Sequence, residues 1–164
     1  MDKKKLLALL SFLAFAALVI FLLTAPAEEP APTPTGEVLS DTLTVHFIDV
    51  GQADCALIQQ GDFTMLIDGG NVDDGQLVVT YLMDQGIEEL DYVVCTHAHE
   101  DHVGGLPSVL AVFPTENILS PTRTYSSKCF DDFMYYADQQ RQEVQIPQPG
   151  DVIILLGGRT GRDG

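Results

Sequence analysis

The chain opens on an uninterrupted apolar block. Residues 6–23 carry no charge, and Ser11 is their only polar side chain. Eighteen such positions, apolar on all sides, predict a membrane-spanning helix rather than an amphipathic core helix. Lys3, Lys4 and Lys5 precede the block and predict a cytoplasmic N-terminus, with the rest of the chain outside the membrane. Ala25-Pro26-Ala27 would also serve as a small-residue cleavage site, so residues 1–24 read as an anchor or a signal segment. The following domain is then expected to be membrane-anchored and extracellular, or secreted if the segment is cleaved. Residues 25–40 hold Pro26, Pro30, Pro32 and Pro34 with Glu28, Glu29 and Glu37, the composition of a stiff, solvated linker.

From residue 41 the pattern changes to short alternating stretches. Leu43, Val45 and Phe47 alternate with Thr44 and His46, which predicts a strand. Residues 55–59 and 63–67 read as two more strands joined by a turn at Gln60-Gly61-Asp62. Leu77, Val78, Tyr81 and Leu82 recur at helical spacing before Gly86. Residues 90–95 are mostly apolar and β-prone. Residues 106–113 predict a short helix with Pro107 near its start, where a missing N–H costs little. Residues 117–120 predict a strand, and residues 128–140 a helix capped by Ser126 or Ser127 with Phe130, Phe133, Met134 and Ala137 inward. Residues 144–146 and 152–156 close the series as strands. Residues 157–164, with four glycines, lose all periodicity and read as a disordered tail. Strands alternating with helices make an α/β domain over residues 41–156.

Candidate chemistry concentrates in one loop. Residues 96–105 hold three of the four histidines and end in Gly104-Gly105. His97 and His99 are two apart, so an extended backbone projects them to one side. Imidazole suits borderline divalent ions, and Asp101 adds a hard carboxylate. Asp101 and His102 are adjacent and must diverge, so one loop can address two neighbouring metal positions. His46, alone inside a strand, reads as structural. Asp68, beside Gly69-Gly70, reads on spacing alone as either a turn residue or a functional one.

Three stretches, taken together, resemble a known family. Residues 96–105 are similar to the H-x-H-x-D-H motif of the metallo-β-lactamase superfamily. Residues 45–58, with Asp49-Val50-Gly51-Gln52-Ala53-Asp54, resemble the opening of its ComEC/Rec2-type competence branch, with Ala53 where that branch usually has glycine. Residues 65–70 resemble the superfamily's early aspartate motif. The resemblance implies an αββα sandwich, of which this chain would supply the N-terminal half plus a little. It implies His97, His99, Asp101 and His102 as metal ligands, Asp101 also orienting the nucleophile as the catalytic carboxylate. It gives Asp68 the part of supporting the histidine loop from behind the ligands. The metal would be zinc, one or two ions, with manganese or iron as substitutes. The reaction would be attack of a metal-bound hydroxide on a phosphodiester or ester-type substrate.

Composition modifies that expectation. Residues 41–164 carry 5 Lys+Arg against 20 Asp+Glu, a balance of 5 − 20 = −15. Such a surface repels a long polyanion, so nucleic acid is disfavoured and a small substrate preferred. After His102 there is no further histidine. Each metal position then has two ligands where three are usual. Asp131, Asp132, Asp138 and Asp151 are the available substitutes. The chain is accordingly expected to be truncated, or to take its missing half from another chain. A non-catalytic remnant or metal-binding interaction module is the alternative. A half-sandwich would leave one sheet face, with residues such as Val45, Phe47, Leu57 and Leu66 depending on register, without a partner layer. Three cysteines, Cys55, Cys95 and Cys129, argue against a complete disulfide framework.

Overall fold

The computed structural model describes residues 42–154. The expected membrane segment, linker and tail lie outside these residues. Among the described residues, no helix is long and apolar enough to cross a membrane.

Among the described residues six strands form one sheet in strictly sequential order. Strands β1 (Leu43–Phe47), β2 (Ala56–Gln60) and β3 (Phe63–Ile67) pair antiparallel, the last two through the tight turn at Gly61 (φ 56°). Strands β4 (Leu90–Val94), β5 (Thr115–Leu119) and the two-residue β6 (Val144–Gln145) then add in parallel. A 3₁₀ turn (Val72–Asp74) and helix α1 (Gly75–Asp84) cross from β3 to β4. Helices α2 (Glu100–Val103) and α3 (Leu106–Val112) cross from β4 to β5, and α4 (Lys128–Gln139) from β5 to β6. Parallel crossovers share one hand, and every one of these steps moves the same way along the sheet. The helices therefore fall on one face, where α3 packs between α1 and α4.

Register decides what that face buries. Leu66 pairs with Leu57 on one side and Val93 on the other, and Val93 pairs with Ile118. These four are fully buried and meet Val78, Leu82, Leu106, Val109, Phe130 and Phe133 from the helices. The opposite face carries Val45, Ile58, Met65 and Tyr92 in register. There Phe47 is 86 % exposed. The expected uncovered face thus exists in β1, but its membership needs correction. Val45 and Phe47 belong to it, whereas Leu57 and Leu66 lie on the helix side.

Helix boundaries follow the sequence signals. Ser127 caps α4, its Oγ accepting from the Phe130 N–H at 3.3 Å. Pro107 sits in the first turn of α3. In α1 the buried positions are Gly75, Val78, Val79 and Leu82, and Tyr81 packs against the core half-buried, so of the expected stripe only Leu77 turns out to solvent. The strand expected at residues 152–156 is not formed over its described part: residues 152–154 are unpaired and exposed. His46 turns to the helix side, its Nδ1 2.9 Å from the Tyr81 hydroxyl, tying β1 to α1.

Candidate metal centre

The site forms where strands end. Ala56 pairs with Ile67, and Ile67 with Val94, so the start of β2 and the ends of β3 and β4 share one edge of the sheet. Asp54, Asp68 and the histidine loop each lie one or a few residues beyond that edge. Ligands of α/β sheets collect at the carboxyl ends of parallel strands for this reason.

Glycines let the loops close on one another. A Cβ on Gly105 would strike the Gly69 carbonyl oxygen, and one on Gly104 would strike the Val72 nitrogen. The two Gly-Gly pairs are therefore a backbone-on-backbone crossing. The Gly69 N–H donates to the His102 carbonyl at 2.8 Å, and the Gly105 N–H to the Gly70 carbonyl at 3.2 Å. The Asp54 loop is stitched to the same crossing: its N–H donates to the Asp101 carbonyl, and its carbonyl accepts from Gly70.

Asp68 is the organising side chain. It is 2 % exposed and adopts the left-handed region at φ 58°. Such a conformation in a non-glycine residue costs of order 1–3 kcal/mol and persists only where surroundings hold it. Here its N–H donates to the Val94 carbonyl, Oδ1 accepts the Thr96 N–H at 2.8 Å, and Oδ2 accepts the Thr96 hydroxyl. Oδ2 also lies 2.8 Å from His102 Nδ1. That contact turns Nδ1 towards the carboxylate as a donor and leaves Nε2 free to bind outward, the arrangement found behind metal-bound imidazoles.

In front of Asp68, His97, Asp101 and His102 come together. One ligand atom from each lies within 4.8 Å of the others. The His97 and His102 rings stand 3.7 Å apart. Asp101 Oδ2 is 3.7 Å from His102 Nε2. Two imidazoles and a carboxylate at this separation fit a divalent ion in donor type and in spacing. His99 stands beside this group rather than within it, exposed at the N-cap of α2 with its ring 4.9 Å from that of His97. Beyond it opens a cavity of about 490 Å³ lined by His99, Glu100, Tyr125, Lys128 and Asp132, among others. Of the four spare aspartates, Asp132 pairs with Lys128, and none of Asp131, Asp132, Asp138 and Asp151 joins the group.

Asp54 was not singled out by residue-type spacing, yet its Oδ2 lies 3.6 Å from His102 Nε2. The signal was present in the sequence, as the last residue of the stretch 49–54. Two thiols lie just behind the site. Burial, and then the Asp68 charge, push both Cys55 and Cys95 from the usual 9.0 up to about 12. All three cysteines are free.

The chain is similar to several known proteins. It is 45% identical over 51 residues to the anti-Pycsar protein Apyc1 of Paenibacillus, covering 31% of this chain and 20% of that protein. It is 32% identical over 151 residues to the metallo-β-lactamase domain-containing protein 1 of Xenopus laevis, covering 82% of this chain and 61% of that protein. A solved structure of metallo-β-lactamase SMB-1 with 2-mercaptoethanesulfonate aligns at 25% identity and a TM-score of 0.42, covering 46% of this chain and 29% of that one. The chain thus spans less than two thirds of each of these relatives. The family model of the metallo-β-lactamase superfamily matches residues 48–163, a stretch containing the three loops that meet at Asp68, and the chain belongs to that superfamily.

Proposed function

We propose that the chain is a metal-dependent hydrolase domain whose divalent ion, zinc in the first instance, is held by His97, Asp101 and His102 with His99 alongside. The observation that carries this reading is the Asp68–His102 contact, which fixes one imidazole with its Nε2 towards the other two ligands. What such an ion supplies is Lewis acidity and a water nucleophilic near neutral pH. The remaining work falls to the chain. Asp101, about half exposed at 48%, offers one oxygen to the group and a second to orient the attacking water or take its proton. Asp68 holds His102 in one tautomer. The cavity beside His99 gives a substrate room next to the ligands.

The substrate class in this reading is a small phosphodiester or ester. The balance of −15 over residues 41–164 weighs against a long nucleic acid, so the ComEC-like resemblance is carried here as a likeness of loops, not of substrate. Residues 1–24 would tether the domain outside the membrane. The test is metal analysis of the purified chain with assays on an activated phosphodiester, an ester and a β-lactam. Turnover abolished by chelator and restored by zinc supports the reading. Stoichiometric metal without turnover on any substrate would favour a metal-binding interaction module instead. Stoichiometric metal surviving a His97→Ala, His99→Ala double change would count against the ligand assignment.

A further inference from the structure

His102 Nε2 faces two carboxylate oxygens, not one. Asp101 Oδ2 lies 3.7 Å away and Asp54 Oδ2 3.6 Å away. Two ligands each about 2.0–2.2 Å from one ion, at near-tetrahedral angles, stand roughly 3.3–3.6 Å apart. Both separations are close to that range and well beyond a direct hydrogen bond. Asp54 is not free to drift from this place. Its N–H donates to the Asp101 carbonyl at 3.1 Å, and its carbonyl accepts the Gly70 N–H at 3.0 Å. Gly51, at φ 67°, makes the turn that brings the loop over the strand edge, braced by its N–H on Asp49 Oδ1 at 3.1 Å. The Asp54 side chain itself is 75% exposed, so it does not serve the core.

We infer that Asp54 is a further ligand of the ion held by His97, Asp101 and His102. This rests on the metal-centre reading above. It gives the ion two carboxylates and two imidazoles, a donor set suited to zinc, manganese or iron. It also gives a physical role to the turn at residues 49–54, which otherwise holds an exposed carboxylate against a histidine with no return in packing.

The experiment uses the full chain in detergent, stripped of metal and titrated with zinc against a chromogenic chelator. The proteins compared are the wild type, Asp54→Ala, Asp54→Asn, Asp101→Ala and the Asp54→Ala, Asp101→Ala double variant. Far-UV circular dichroism confirms that each is folded. The expected result is at least a tenfold loss of affinity in Asp54→Ala, falling on the same zinc equivalent that Asp101→Ala weakens, with losses that do not add in the double variant. Wild-type affinity and stoichiometry in both Asp54 variants would overturn the inference and leave the metal-centre reading standing. So would a shift in the His102 titration of the metal-free chain with zinc affinity unmoved, which marks Asp54 as an ion-pair partner only. Failure of the wild type to bind zinc would overturn both.

Discussion

Asp68 Oδ2 lies 2.8 Å from His102 Nδ1 although the two residues are 34 apart in sequence. The same carboxylate takes the Thr96 N–H and hydroxyl, so one buried side chain fixes the whole entry to the histidine loop. Asparagine tolerates the left-handed backbone nearly as well as aspartate. Asp68→Asn should therefore keep the fold while removing the charge that orients His102. We expect a loss of 10–100-fold in zinc affinity, measured by chelator competition. A loss below threefold would remove Asp68 from the site's support.

The crossing of the two Gly-Gly pairs leaves no room for a side chain. Gly105→Ala places a Cβ on the Gly69 carbonyl oxygen, backbone against backbone. Neither partner is a flexible side-chain end, so the loops must part. The expected outcome is loss of zinc binding together with a thermal midpoint lowered by at least several degrees. An alanine at Gly51, whose Cβ would meet nothing within 4 Å, is strained only by its φ of 67° and should cost less, about 1–2 kcal/mol.

Two phenylalanines test the assignment of the sheet's faces. Phe133 is fully buried among the helices, and Phe47 is 86 % exposed on the other face. Phe133→Ala should destabilise by about 3–5 kcal/mol. Phe47→Ala should stay within about 0.5 kcal/mol in urea melts. A large effect at Phe47 would show that its face is covered in solution.

Buried thiols set an alkaline limit. Cys55 and Cys95 ionise near 9.0 in an unfolded chain but near 12 when buried. Their folded values are raised, so their contribution to stability is complete below about pH 9 and fades as pH rises towards 12. Urea midpoints should fall over that window, and fall less in a Cys55→Ala, Cys95→Ala variant. Equal pH slopes in the two proteins would remove the thiols as the cause.

Much of this was legible in the sequence because the signals were local. The Thr96–Gly105 stretch lies between β4 and α3 as a strand-to-helix connection should, with Glu100–Val103 helical inside it, and Ser127, one of the two serines expected to cap α4, does so. What depended on register was less legible. Alternation in β1 marks two faces but not which is inward. Pairing His46 with Leu57 sends His46 to the helix side and Phe47 outward, against the bare hydrophobicity of the residues. The apolar run at 152–154 lacks a pairing partner, so β-propensity alone does not make it a strand. Asp54 could not be placed from spacing, because its nearness to His102 arises only when β2 is laid antiparallel to β3.

Sequential strand order has a kinetic consequence. Each strand of the sheet pairs with the one made just before it, so no strand waits for a distant partner. Chains emerge from the ribosome N-terminus first, and local pairings close with little loop entropy. Asp68 is already in place when His102 appears, and α3, which seals the crossing through Leu106, follows at once. The proposed metal centre can therefore assemble on the nascent chain before β5 and β6 exist. Arrested ribosome complexes of increasing length, probed for zinc-dependent protease protection, should show it arising near residue 113 plus the length of the exit tunnel.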